Sequence, residues 1–305
     1  MAYAPVGFGD YHWKVTGEDG RQWFATVSDL EHKEFCGQGA VAALQGLRQA
    51  MDTAVSLRGR GGLRFVVAPE VAIDGRSVVP LDARYALTVF PQVVGVPGEF
   101  AQKLTEDERD QVLDRLAELH SQEPPSTTPT TSLEPAGLGD IPTALAETDG
   151  AWPDGGPYSE PARKLLAEHA DTVRARLADF ETLVDRVRRR GAPLVVTHGE
   201  PHPGNLILGD DGYLVVDWDT VGLAVAERDL SLISTDPAVL ARYTERTGRT
   251  PDRDALALYR LRWSLLDVAE FVEWFRGPHQ RDEDTESAWK GFTETLGDLS
   301  GDATG

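Results

Sequence analysis

Residues 194–219 read Leu-Val-Val-Thr-His-Gly-Glu-Pro-His-Pro-Gly-Asn-Leu-Ile-Leu-Gly-Asp-Asp-Gly-Tyr-Leu-Val-Val-Asp-Trp-Asp. Within them Glu200, Asn205 and Asp217 gather carboxylate and amide oxygens, the donors that hard cations prefer. The apolar runs 206–208 and 213–216 flank Gly209-Asp210-Asp211-Gly212, which is a hairpin signal. Pairing Leu208 with Tyr213 sets Leu206 opposite Val215 and Asn205 opposite Val216, so Asn205 and Asp217 become neighbours at the hairpin's open end. An amide oxygen and a carboxylate converging there suit Mg²⁺, which binds few protein oxygens and keeps its remaining sites for water or phosphate. Glu200 lies on the Pro- and Gly-rich loop just before the hairpin, where it can serve as a base or orient a hydroxyl. The competing reading is a surface hairpin with solvated acids, and the joint spacing argues against it. A zinc pair of His198 and His202 needs a helix to bring the two rings together, and Pro201 and Pro203 forbid one.

The elements that must position these residues can be read from periodicity. Residues 11–15 and 22–27 are rich in aromatic and β-branched types around the turn Gly17-Glu18-Asp19-Gly20, which predicts a hairpin. Apolar residues at helical spacing predict a helix over 35–57, and strands are expected at 63–68 and 85–90. Residues 91–95 then leave the strand as a connector. A second helix is expected over 104–120, with a capping box from Thr105 to Glu108. Residues 121–154, rich in Pro, Thr, Ser and Gly, read as a long surface loop. Helices follow at 161–190, ended by Gly191 and Pro193, and at 237–248, 253–275 and 286–296. The expected class is α+β: a small β-rich lobe, residues 1–90, and a larger helical lobe, residues 91–305.

The chain of 305 residues carries a formal net charge of −20, which argues against a nucleic-acid partner and is compatible with a cationic small-molecule substrate. No apolar run is long enough to span a bilayer, and the first ten residues show no secretion signal, so a cytosolic location is expected. The single cysteine, Cys36, reads as a small core or helix-start residue rather than a nucleophile.

The segments His198-Gly199-Glu200 with Asn205, Asp217-Trp218-Asp219, and Glu227-Arg228-Asp229-Leu230 together resemble the aminoglycoside phosphotransferase and choline kinase family, in its spectinomycin-phosphotransferase-like branch. The resemblance implies a two-lobed protein-kinase-like fold that moves the γ-phosphoryl group of a nucleotide to a hydroxyl. By it, Asn205 and Asp217 bind Mg²⁺, and Asp219 makes a further metal or substrate contact. Asp229 ties the loops of the large lobe together, and His198 positions the catalytic loop. Pro91, Gln92 and Val93 hold the adenine through backbone groups. Gly7-Phe8-Gly9-Asp10 supplies a fragment of a Gly-rich phosphate loop, with Gly7 and Gly9 as its glycines.

Two positions depart from that family's pattern. Glu200 stands where the family has Asp, which lengthens the carboxylate arm by one methylene. Thr26 stands where a kinase-like strand carries its phosphate-binding Lys, and the helix expected at 35–57 has no Glu to pair with such a Lys. Lys14 and Lys33 are the nearby candidates to replace it, and both read first as surface residues. The expected function is therefore magnesium-dependent transfer from ATP or GTP to a small polar, cationic hydroxyl compound, an aminoglycoside-like antibiotic ahead of a metabolite. The alternative is a pseudokinase-like binding protein, or other nucleotide chemistry on the same fold.

On the helix expected at 253–275, Leu261, Leu265, Val268, Val272 and Phe275 form a core face. Trp263, Asp267, Glu270 and Trp274 form a neighbouring stripe of acids between aromatics, suited to a cationic ligand or equally to an ordinary amphipathic helix. The resemblance favours the ligand, because the family binds its acceptor against late helices.

Overall fold

The structure is a computed structural model that describes residues 1–4, 10–100, 102–150, 152 and 155–301, so the fragment containing Gly7 and Gly9 lies outside the described residues. The N-terminal sheet is antiparallel, in the order β1-β2-β3-β5-β4. Its strands are β1 (Ala2–Ala4), β2 (Asp10–Thr16), β3 (Gln22–Asp29), β4 (Val79–Pro80) and β5 (Tyr85–Pro91). The β2–β3 hairpin forms where its turn signal placed it, with Asp10 opposite Ser28 and His12 opposite Thr26.

Helix α1 (Ala40–Gly59) buries Ala43, Leu47, Ala50, Met51, Ala54 and Leu57 along one face. It starts later than the apolar spacing suggested, because Gly39 sits at φ 78 and residues 35–38 form turns in front of it. The strand expected at 63–68 does not form. Leu63, Phe65, Val66 and Val67 are buried as irregular chain, with only Val66 bridging to Val215. The sheet's edge is instead the two-residue β4, which ends in a proline, and an edge strand tolerates the missing donor.

After β6 (Val96–Pro97), helix α2 (Glu106–His120) opens with the expected capping box: Thr105 Oγ1 accepts from the Glu108 N–H, and the Glu108 carboxylate accepts from the Thr105 N–H at 2.8 Å. The stretch expected to be loop contains α3 (Asp140–Ala146), which buries Ile141, Ala144 and Leu145; its Pro142 falls in the first turn, where no N–H is needed. The single helix expected at 161–190 divides at His169 into α4 (Ser159–Glu168) and α5 (Ala170–Arg190), and α5 ends at Gly191 in the left-handed conformation.

The rest is β7 (Val195–Thr197), β8 (Leu206–Gly209), β9 (Gly212–Val215), β10 (Gly222–Ala224), α6 (Glu227–Ile233), α7 (Pro237–Thr247), α8 (Arg253–Arg276) and α9 (Glu283–Gly301). Two compact units emerge from the packing, one made of 1–132 and 193–252, the other of 133–192 and 253–305. In the second, α8 packs on α5 and α9, and Leu265, Val268, Val272 and Phe275 are buried as the sequence indicated, while Leu261 is half-buried. No described helix is long and apolar enough to cross a membrane.

Candidate active site

The hairpin β8–β9 has the register read from the sequence: Leu208 faces Tyr213 and Leu206 faces Val215. The Val216 N–H donates to the Asn205 carbonyl at 3.0 Å, so the open end is fixed with Asn205 on one arm and Asp217 leaving the other. Asn205 is buried, and its Nδ2 donates to the Glu200 carbonyl at 3.0 Å. That bond ties the hairpin to the loop preceding it.

The loop 198–200 is held from below by a set of satisfied buried groups. Asp229 is fully buried at the start of α6; its Oδ2 accepts from the His198 N–H at 2.8 Å, and its Oδ1 accepts from the Gly199 N–H at 2.7 Å. His120, at the end of α2, places Nε2 3.0 Å from the same Oδ2 and Nδ1 3.0 Å from the Tyr243 hydroxyl. Burial works against the Asp229 charge, but the hydrogen bond from His120 and the positive field of Arg228 prevail and hold its carboxyl below the usual range. Arg228 donates to Thr197 Oγ1 at 2.8 Å and to the Thr220 carbonyl at 2.9 Å. Its guanidinium lies against Gly199, where a Cβ would come within 2.3 Å of Nη2 and where φ is 106°, so only glycine fits.

His198 is buried and both its ring nitrogens are committed. Nδ1 accepts from the Glu200 N–H at 3.2 Å, which leaves the proton on Nε2 to be donated to the Val216 carbonyl at 2.8 Å. Burial pushes its pKa down, consistent with that neutral tautomer. The ring thus locks the loop bearing Glu200 to the strand end that leads into Asp217, and a zinc-ligand role is closed to it.

Asp217 behaves differently. It has φ 62 and ψ 65, the only described non-glycine residue at positive φ. Its surface is solvent-accessible, yet protein surrounds it densely. Asp219 first, then desolvation, push its carboxyl well above the usual range; Lys33 opposes them and Glu200 adds to them. Glu200, Asp217 and Asp219 therefore share one field. Among the described residues, no group of three or more His, Cys, Asp or Glu forms a metal cage. The set present, one amide beside crowded carboxylates, fits a cation that retains water and phosphate ligands, which is Mg²⁺ chemistry rather than zinc chemistry.

Lys33 is the residue that sequence reasoning misplaced. Lys14 is exposed, as expected, but Lys33 is buried, with its Nζ 2.5 Å from Asp219 Oδ2 and 2.9 Å from Asp10 Oδ2. The two carboxylates outweigh the desolvation of the ammonium and raise its pKa, so it remains charged. Asp10 entered the sequence reading only as the last residue of the Gly-rich fragment. Its Oδ2 also accepts from Ser28 Oγ at 3.0 Å, whereas its Oδ1 is buried with no hydrogen-bond partner among the described residues. Desolvation raises the Asp10 carboxyl despite Lys33. Cys36 is half-buried in the turn before α1, and its thiol lies 3.6 Å from the Asp219 carbonyl; burial pushes its pKa up to about 12, which suits the structural reading of this residue and not a nucleophile.

The other candidate residues fall as follows. Thr26 is buried on β3, 3.1 Å from His12 Nδ1 and opposite Thr88. Pro91 ends β5; Gln92 donates its N–H to the Gln22 carbonyl at 3.1 Å and its Nε2 to the Val93 carbonyl at 3.2 Å. Trp263, Asp267 and Trp274 are half-buried and Glu270 exposed on α8, in the other compact unit from Glu200, Asn205 and Asp217.

The fold is that of the two-lobed, protein-kinase-like phosphotransferases. The structure matches spectinomycin phosphotransferase APH(9)-Ia, solved with ADP and spectinomycin, at a TM-score of 0.73 and 16% identity over 97% of this chain and 91% of that one. It matches amicoumacin kinase hAmiN, solved with AMP-PNP, Ca²⁺ and Ami, at 0.63 and 12% identity over 99% and 90%. In sequence the chain is 32% identical to Protein StrN of Streptomyces griseus over 307 residues, which cover 97% of this chain and 86% of that protein. A model of the phosphotransferase enzyme family matches residues 7–271, and the chain belongs to that family.

Proposed function

We propose that the protein transfers the γ-phosphoryl group of ATP or GTP to a hydroxyl of a small polar, cationic compound, with Mg²⁺ held by Asn205 and Asp217. The observation that carries this reading is Asp217, a left-handed residue whose ionisation is opposed by Asp219 and by its surroundings. Such strain is retained where function requires it, and a divalent cation would relieve it. Bound there, Mg²⁺ supplies charge neutralisation for the transferred phosphoryl group.

The chain's own residues have separable tasks. Glu200 accepts the proton of the acceptor hydroxyl as that hydroxyl's oxygen bonds to the γ-phosphorus and the bond to the leaving nucleoside diphosphate breaks. His198 fixes the Glu200 backbone, and Asp229 fixes His198. Residues 1–90 act as the nucleotide lobe, with Gly7, Gly9 and Thr26 near the phosphates and Pro91, Gln92 and Val93 along the adenine edge. Residues 91–305 act as the catalytic and acceptor lobe in a cytosolic enzyme. On α8, Trp263, Asp267, Glu270 and Trp274 receive the acceptor; although Glu270 reaches solvent, desolvation by the protein around it, and then Glu273, raise its carboxyl, a cost that a cationic ligand offsets. The acceptor class, aminoglycoside-like, draws support from the spectinomycin and amicoumacin named with the structural relatives.

Incubation with γ-labelled ATP or GTP and a panel of aminocyclitols, aminoglycosides and amino alcohols, with and without Mg²⁺, tests the proposal. Label should move to an acceptor only with Mg²⁺, and Asp217→Ala should abolish the transfer. Nucleotide binding without transfer to any acceptor would favour the pseudokinase-like alternative, for which Glu200 and the strand without lysine speak.

A further inference from the structure

A nucleotide brings several negative charges to a site that already holds Asp10, Asp217, Asp219 and Glu200. Strand β3 offers it no cation: the expected position is Thr26, whose hydroxyl is engaged with His12. Lys33 approaches the cluster from elsewhere, on the turn that follows the strand. That turn, Leu30–His32, is firmly pinned. Asp29 caps it by accepting from the Glu31 N–H at 3.2 Å, and Arg84 grips Asp29 through Nε at 2.9 Å and Nη2 at 2.6 Å. Leu30 is buried beneath it, with its N–H bonded to the Arg84 carbonyl at 2.8 Å.

From this base the Lys33 side chain, 8% exposed, reaches Asp10 and Asp219. An ammonium has three donors. Two are used at these carboxylates, and the ammonium also lies 5.2 Å from the centroid of the Phe35 ring, a weak contact that leaves the third donor for a stronger acceptor. Asp10 and Asp219 bracket it as a Glu brackets the lysine of a kinase strand, without using all of its hydrogen-bonding capacity.

We infer that Lys33 is the phosphate-binding lysine of this protein, supplied by the turn after β3 instead of by the strand, with its free donor directed to the β-phosphate of a bound nucleoside di- or triphosphate and with Asp10 and Asp219 as its positioning residues. The inference rests on the phosphotransferase reading above and deepens it. It also gives Asp219 a definite task, as the anchor of a cation.

The test is calorimetric titration with adenosine, AMP and ADP, and with the guanine series, in the presence of Mg²⁺. In Lys33→Met, ADP affinity should fall about 10- to 100-fold, the range for a lost hydrogen bond to a charged group, while adenosine affinity stays as in wild type. Lys33→Arg should retain part of the preference for ADP over AMP. If the two carboxylates left behind prevent Lys33→Met from folding, the double variant Lys33→Met/Asp10→Asn removes one of them and carries the same comparison. A merely structural Lys33 would weaken adenosine and ADP equally, and that result, or an unchanged ADP-to-adenosine ratio, overturns the inference alone. A wild type that binds neither series overturns the phosphotransferase reading, and this inference with it.

Discussion

The loops between β7 and α6 have two ends that treat charge in opposite ways. At the His198–Gly199 end buried groups are paired: Asp229 accepts from two backbone N–H groups and faces His120, and its carboxyl lies below the usual range. At the Asp217–Asp219 end the carboxylates crowd one another, one of them sits at positive φ, and the nearby Asp10 has a buried oxygen with no hydrogen-bond partner among the described residues. The first end resembles a foundation, where each interaction contributes to stability. The second keeps charges that oppose one another, and that cost in stability is what the proposed metal and phosphate site accounts for.

Three experiments can break or sharpen this contrast. The largest effect is expected from Asp229→Ala, which strands two N–H groups and a histidine in the interior; chemical denaturation should show a loss of about 3–5 kcal/mol. A loss below about 1 kcal/mol would mean that the foundation is not there. Next, Glu200→Asp should leave stability within about 0.5 kcal/mol, because Glu200 is only half-buried and contributes to the scaffold through its backbone. Turnover should nonetheless fall about 10²-fold, since a carboxylate displaced by roughly 1 Å is misplaced for the hydroxyl. Equal or faster turnover would show that the loop is not fitted to the longer side chain.

The smallest effect lies in the pH dependence. His198 and Asp229 have lowered pKa values in the fold, so the unfolded chain binds more protons and stability falls on acidification, from about pH 6.5 for the histidine and through the carboxylate range for Asp229. Asp217 has a raised pKa, so its contribution is complete below the ordinary carboxylate value and is lost as pH rises through the raised one. Asp217→Asn should therefore flatten the loss on raising pH and leave the acid limb in place. Flattening of the acid limb instead would reverse the assignment of the two ends.

How much of this was legible in the sequence depended on the distance over which each feature is decided. The hairpin register was readable because Asp210-Asp211 and the runs beside it fix it locally, and the Thr105–Glu108 capping box is local too. The strand expected at 63–68 failed because a short apolar run indicates burial without indicating a ladder partner. Helix α3 was hidden because its three buried positions lie inside a stretch whose composition signals loop. Lys33 was the most consequential miss. A lysine reads as surface by type, and its burial is decided by Asp219, 186 positions away. The link from His120 to Asp229 spans 109 positions and was equally invisible. The motif residues His198, Glu200, Asn205 and Asp217, and Asp229 as a tie between loops, were indicated by spacing and resemblance, whereas the partners His120 and Arg228 required the fold.

The central claim is that the crowding around Asp217 is kept for a divalent cation. Thermal melting of wild type and Asp217→Asn at mildly alkaline pH, each with and without Mg²⁺ and AMP-PNP, tests it most directly. Asparagine tolerates the left-handed backbone, so the substitution removes the charge without adding strain. The variant should melt above wild type when metal is absent, and only wild type should gain stability when Mg²⁺ and nucleotide are added. A variant that melts below wild type without metal, yet responds to Mg²⁺ and nucleotide as wild type does, would contradict the claim.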